Sequence, residues 1–136
     1  MEQDIVISLQ CASNNLRNDA TIQLAIMAGE TVVGTVDFYH YEPVDMRAAI
    51  GIFIAPEYHN RGYASASIHQ ALMFAHSTLG LHQVYCDIDI VNRISQRLFT
   101  NLGFHAVATL SDWILSPSGY SDAVRMQYIF PSVNPV

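Results

Sequence analysis

Apolar positions along this chain recur with two different spacings. Up to Pro56 the pattern is that of strands. Ile5 to Leu9 alternates weakly and predicts a short strand, followed by a polar loop marked by Asn14, Asn15, Asn18 and Asp19. Thr21 to Met27 predicts a strand, Ala28-Gly29-Glu30 a turn, and Thr31 to Tyr39 its hairpin partner, with β-favouring Val32, Val33, Val36 and Phe38. Tyr41 to Asp45 reads as a loop around Pro43, and Ala48 to Ile54 as a third strand stopped by Pro56. From Ala64 to Leu79 the period changes. Ile68, Ala71, Leu72, Ala75 and Leu79 recur at three and four residues, the mark of a helix with one buried face, and Gly80 ends it. Gln83 to Val91 predicts a strand and Ile94 to Leu102 a second helix stopped by Gly103. Phe104 to Leu110 and Val124 to Phe130 predict strands, with a turn at Ser116-Pro117-Ser118-Gly119. This order predicts an α/β domain on a mixed, mostly antiparallel sheet, with a central right-handed parallel strand–helix–strand crossover.

The 136 residues favour a single domain over the whole length, with 1–20 the least assigned part. Hydrophobic residues make up 51% and charged residues 13%, too apolar for a disordered chain. No apolar run approaches the roughly 18 residues of a membrane span, and the acidic start Met1-Glu2-Gln3-Asp4 does not read as a signal peptide. Cys11 and Cys86 lie far apart without a CxxC spacing, so neither a disulfide framework nor a zinc site is expected, and a reducing cytoplasm is the default. His40, His59, His69, His76, His82 and His105 form no ligand spacing, so no metal is expected. A net charge of −6 with six Lys and Arg argues against nucleic acid and is compatible with a cationic substrate.

The segment Pro56-Glu57-Tyr58-His59-Asn60-Arg61-Gly62-Tyr63-Ala64 joins a predicted strand to a predicted helix. A helix N-terminus offers unpaired N–H groups and a partial positive charge to an anion. Gly62 and Ala64 keep the surface low enough for a diphosphate, and Arg61 adds charge. The alternative is an ordinary strand-to-helix loop that happens to contain a glycine.

His59-Asn60-Arg61-Gly62-Tyr63-Ala64 resembles the Gln/Arg-x-x-Gly-x-Gly/Ala turn of the GNAT acetyltransferases, with His59 departing from the first position. Three further stretches carry the resemblance. Ile52-Phe53-Ile54 looks like the strand that bonds the pantetheine arm. Asn92-Arg93-Ile94-Ser95 with Asn101-Leu102-Gly103-Phe104 resembles the Asn-x-x-Ala/Ser and Leu-Gly-Phe signature. Trp113 and Gly119 to Met126 resemble the C-terminal hairpin of the branch acting on ribosomal-protein N-termini and on polyamines. The resemblance spans about Thr21 to Phe130. It implies an acyl-CoA N-acyltransferase-like fold and acetyl-CoA as co-substrate, bound by Ile52 to Ile54, His59 to Ala64, Asn92 and Ser95. The acceptor it implies is a primary amine, either a small polyamine-like amine or a peptide α-amine.

Direct attack by an amine on a thioester needs a base, a positioned carbonyl and a proton for the leaving thiolate. Many family members place a Tyr acid seven residues after the Asn; here that residue is Phe99. The resemblance offers Ser95 for the role, and a helix cap is its alternative reading. Base candidates are Asp37, Asp87, Asp89 and Glu42, with a water chain to Tyr39 as another route. Tyr39, Tyr41 and Tyr63 either line an acceptor pocket or pack, and Trp113 reads as core or interface. Asp122 and Arg125 are spaced to cross the faces of a strand, so no salt bridge between them is expected. Family members usually carry a first strand and two helices ahead of the hairpin that begins here at Thr21, and about 20 residues are too few for all of that. The N-terminal part therefore reads as short, leaving apolar sheet surface that a homodimer would cover. Phe99 and this short start also support a second reading, a catalytically weak acyl-CoA-binding or regulatory module.

Overall fold

The computed structural model describes residues 7–15 and 21–132. Strands run over Ser8–Asn15 (β1), Thr21–Ala28 (β2), Thr31–Glu42 (β3), Arg47–Ile54 (β4), Gln83–Asp89 (β5), His105–Ser116 (β6) and Gly119–Ile129 (β7). The helices are Tyr63–Ser77 (α1) and Arg93–Asn101 (α2), and Pro56–Tyr58 forms one 3-10 turn. All seven strands belong to one sheet in the order β1-β2-β3-β4-β5-β7-β6. β4 and β5 are parallel and flank the α1 crossover; every other neighbouring pair is antiparallel. The mixed sheet and its parallel crossover are those expected from the sequence.

Several boundaries differ. Asn14 and Asn15, expected in a loop, pair with Ile22 and Thr21 inside β1. Polar residues are tolerated there because β1 is an edge strand. Ile5, Val6, Asn18 and Asp19 lie outside the described residues. β3 continues past Tyr39 through a bulge at His40, whose φ is 51°, so Tyr41 is strand and not loop. β6 and β7 extend well beyond the expected segments and form a long hairpin in which β6 is mostly exposed and β7 mostly half-buried. Trp113 is 54% exposed and is not core.

Alternation along the strands gives the sheet two unlike faces. Val36, Phe38, Ile50, Val84, Cys86 and Met126 are buried with Ile68, Ala71, Leu72 and Ala75 of α1 in the core. Phe74 of α1 meets Phe38 of β3 at 6.2 Å, and His76 stacks on Phe130 beyond β7 at 4.9 Å. α2 lies on the same face through Phe99, whose ring is edge-on to Phe104 at 4.9 Å. Gly80, with φ 67°, turns the chain out of α1 so that Leu81 N–H donates to Ala75 C=O at 3.0 Å. The opposite face carries Asp37, Tyr39, Phe53, Tyr85, Asp87, Arg125 and Ile129. Phe53 and Ile129 are 61% and 56% exposed there.

Candidate functional site

β4 and β5 pair only at Arg47–Gln83, Ala48–Val84 and Ala49–Tyr85. Beyond those pairs the strands diverge and leave a slit through the sheet. A cavity of about 220 Å³ fills it, lined from the helix face by Ile50, Cys86, Ile88 and Phe99 and from the open face by Tyr39, Gly51, Asp87 and Asp89. Along β4, Ala55 N–H donates to Val33 C=O at 2.9 Å. By alternation, Ile52 and Ile54 turn their backbone groups toward the slit, where an extended ligand arm could pair with them. Phe53 is placed differently from Ile52 and Ile54. Its carbonyl approaches Gly34 of β3 and its ring is exposed on the open face.

A second cavity, of about 570 Å³, adjoins the first and shares Ile52, Asn92 and Ser95 with it. His59, Asn60, Gly62, Tyr63 and Ala64 line its far end. Gly62 is the N-cap of α1 with φ 79°, and no side chain among the described residues caps the helix. The first bonded amide of the helix is Ala66, donating to Gly62 C=O at 3.2 Å. The amides of Tyr63, Ala64 and Ser65 have no partner among the described residues. No carboxylate occurs between His59 and Ser65. Free amides, a glycine and no negative charge suit a diphosphate.

His59 has a structural part in this turn. Its Nε2 lies 2.7 Å from Ile54 C=O. A carbonyl only accepts, so Nε2 carries the hydrogen and the ring ties the loop to the end of β4. Arg61 does not line the cavity; its guanidinium lies 5.7 Å from the centre of the Tyr58 ring.

Asn92 is the N-cap of α2, its Oδ1 accepting from Ser95 N–H at 3.1 Å. The capping role considered for Ser95 therefore belongs to Asn92, as Asn favours that position. Ser95 lines both cavities, and its hydroxyl has no partner among the described residues. The loop before α2 is held by Gln96, whose Nε2 donates to the carbonyls of Asp89 and Ile90 at 3.2 and 3.0 Å.

The four base candidates separate clearly. Asp87 accepts two bonds from Arg125, Nε to Oδ1 at 2.8 Å and Nη2 to Oδ2 at 2.9 Å. Asp89 accepts from Val91 N–H and from Ser121 Oγ, at 3.1 and 3.0 Å. Glu42 accepts from Val44 N–H at 3.1 Å in the turn after β3. Asp37 keeps Oδ1 buried without a partner among the described residues, but it does not line the slit. Tyr39 does. Burial raises its phenol above the ordinary tyrosine range, and the charges of Asp87, Cys86, Tyr85 and Asp37 add to this. Its hydroxyl therefore stays protonated near neutrality and is a hydrogen-bond donor, not a base. Burial, then Asp87, pushes the Cys86 thiol up to about 12.

Sequence reasoning missed the pairing of Arg125 with Asp87. It also missed a third cavity of about 380 Å³ on the open face, which shares Tyr39 and Asp87 with the slit. Tyr63 lines the phosphate-loop cavity and Tyr41 lines none of the three. As expected, Asp122 does not pair with Arg125. Its Oδ1 accepts from Asp112 N–H at 2.9 Å and holds a bulge in β6. Among the described residues no group of three His, Cys, Asp or Glu could hold a metal, and no helix is long and apolar enough to cross a membrane.

The acetyltransferase (GNAT) domain model matches residues 3–105 of the chain. Spermidine N(1)-acetyltransferase of Vibrio cholerae is 29% identical over 105 residues, 77% of this chain and 60% of that protein. The uncharacterized N-acetyltransferase YoaA of Bacillus subtilis is 30% identical over 83 residues, 61% of this chain and 47% of that one. The chain thus spans 60% and 47% of the lengths of these two relatives. The dodecameric structure of the Vibrio cholerae spermidine N-acetyltransferase superposes with TM-score 0.79 at 24% identity, over 85% of this chain and 68% of that one. A chimera of that enzyme with hSSAT gives TM-score 0.81 at 23% identity, over 85% and 70%. These two likenesses show a shared fold. With the family model covering most of its length, and the divergent strand pair and open helix N-terminus in place, the chain belongs to the GNAT acetyltransferase family.

Proposed function

We propose that the chain is an acyl-CoA-dependent N-acetyltransferase that acetylates a primary amine. The observation that carries this reading is the pair of adjoining cavities, one lined by the first residues of α1 and the other filling the slit between β4 and β5, that share Ile52, Asn92 and Ser95. The amides of Tyr63, Ala64 and Ser65 would hold the diphosphate of acetyl-CoA, and the slit-facing backbone of Ile52 would hold its arm. Acetyl-CoA supplies a thioester: the amine nitrogen bonds to its carbonyl carbon, the carbon–sulfur bond breaks, the amine loses a proton and the thiolate gains one. The Ser95 hydroxyl, free of the capping role, would donate a hydrogen bond where the two cavities meet. Tyr39, kept protonated, would donate one at the open-face mouth.

Asp37 remains the candidate base through water, because its buried Oδ1 lacks a partner among the described residues and it shares the open face with Tyr39. The acceptor is read as an amine entering from the open face, since the helix face is occupied by the cofactor cavity. Phe99 favours a second reading. It lines the slit without a hydroxyl, and this suits a chain that binds acyl-CoA with little turnover.

Thermal unfolding with and without acetyl-CoA tests the reading, paired with thiol release on adding amines. Ligand at a hundredfold excess over its dissociation constant stabilises the folded state by about 2.7 kcal/mol. A melting shift with amine-dependent thiol release is the expected result. A shift with no release from any amine would favour the binding module, and no shift would remove the cofactor.

A further inference from the structure

We propose that the open-face cavity selects an acceptor amine that also carries a carboxylate, held by the guanidinium of Arg125. The inference rests on the acetyltransferase reading and names its acceptor class.

An amine that reaches the slit from the open face would leave the rest of its molecule in the 380 Å³ cavity, because both spaces are lined by Tyr39 and Asp87. Among the described residues, Asp87 is the sole carboxylate lining that cavity. Both of its oxygens are engaged by Arg125, at 2.8 and 2.9 Å. Each oxygen keeps a lone pair, but the charge of Asp87 is already balanced by Arg125, so a second ammonium group on the acceptor would meet only a weakened counter-ion there.

Arg125 is not similarly exhausted. The pair uses Nε–H and one hydrogen of Nη2. Both hydrogens of Nη1 and the second of Nη2 have no partner among the described residues. The side chain is 33% exposed, so these donors can be reached. The guanidinium lies over the Tyr85 ring, 4.7 Å from its centre, which fixes its plane. A planar guanidinium held on one edge by Asp87 presents its other edge for a second carboxylate.

The walls suit the rest of such a molecule. Trp113 and His40 are each delivered by a bulge, at Leu110/Ile114 in β6 and Tyr39/Glu42 in β3. The net charge of −6 opposes an incoming anion at long range. Salt screens that field over about 8 Å, within which the Arg125 donors decide.

The experiment compares free amino acids, their carboxamides and spermidine as acceptors, by thiol release from acetyl-CoA. Values of kcat/KM are taken per deprotonated amine, since an amide lowers the amine's basicity. The best amino acid is expected to exceed its own amide by at least about tenfold, and to exceed spermidine. In the double variant D87N/R125M, which removes the pair without stranding a buried charge, that preference is expected to fall to about twofold or less while the acetyl-CoA melting shift persists. Equal use of acid and amide, or a preference for spermidine, would overturn the inference and leave the enzyme reading standing. Absence of both the melting shift and thiol release from any amine would overturn the enzyme reading and this inference with it.

Discussion

The ring of His59 holds the carbonyl of Ile54 at 2.7 Å and so fastens the phosphate-loop turn to the last residue of β4. Replacing it removes one partly buried hydrogen bond and frees the turn. His59→Ala is expected to lose about 1 kcal/mol in urea unfolding and to bind acetyl-CoA severalfold more weakly by calorimetry. His59→Gln, which can still donate, should recover part of both. Unchanged affinity in His59→Ala would mean the tether has no part in the site.

Gly62→Glu attacks the same turn from its other end. The residue sits at φ 79°, where a side chain is strained, and a carboxylate there would face the proposed diphosphate. The expected result is a folded protein, by circular dichroism, whose melting temperature no longer responds to acetyl-CoA. A full response would take the loop out of cofactor binding.

Ser95 and Phe99 separate binding from turnover. Because Asn92 and not Ser95 caps α2, Ser95→Ala should leave the melting temperature nearly unchanged. Turnover should fall by roughly tenfold to a hundredfold at unaltered acetyl-CoA affinity if the hydroxyl acts on the leaving thiol. Phe99→Tyr would place a phenol at a position lining the slit, and is expected to raise turnover. If neither change moves turnover, the proton reaches the thiolate by another path.

Gly34 tests packing away from the chemistry. A Cβ there would run into the carbonyl oxygen of Phe53 across the strand pair. The clash is with backbone, so β3 and β4 must move apart. Gly34→Ala should destabilise by about 2–3 kcal/mol in urea unfolding. A loss below about 0.5 kcal/mol would show that the pair accommodates the methyl.

Cys86 gives a pH signature. Its folded pKa is raised to about 12 from an ordinary value of 9.0. The folded state therefore holds this proton more tightly than the unfolded chain does. The associated stability is intact below pH 9 and is lost as pH rises toward 12. Over that window one proton corresponds to a slope of about −1.4 kcal/mol per pH unit. Wild type should fall more steeply than Cys86→Ala above pH 9, and parallel curves would contradict the burial of the thiol.

The helices and the loop between β4 and α1 were legible because their signals are local. The change of period at Ala64 lies two residues from the turn glycine Gly62, and Gly80 and Gly103 each follow the end of a helix within three residues. Asn92 carried a local signal as well, since Asn ahead of a helix is a cap; the hydroxyl of Ser95 drew attention from it. The length of β6 was underestimated because most of its residues are exposed, so alternation hardly marks it. The pair Arg125 and Asp87 is 38 residues apart and depends on the register of β5 against β7. One hint was present. Each is a charge set between apolar residues, Cys86 and Ile88 around one and Val124 and Met126 around the other, so both had to point away from the core. Which two strands would be neighbours was not written in either segment.

The short seam between β4 and β5 has a mechanical consequence. On one side lie four strands bonded in series, on the other three, and across the seam the hydrogen-bonded rungs extend only from Arg47 to Ala49. The domain is thus two stiff plates, and α1 is the clasp that spans them, through Phe74 on Phe38 and His76 on Phe130. The seam is the place where the fewest strand-to-strand hydrogen bonds hold the two plates together. The width of the slit then follows the seating of α1, a helix whose first turn also frames the phosphate loop.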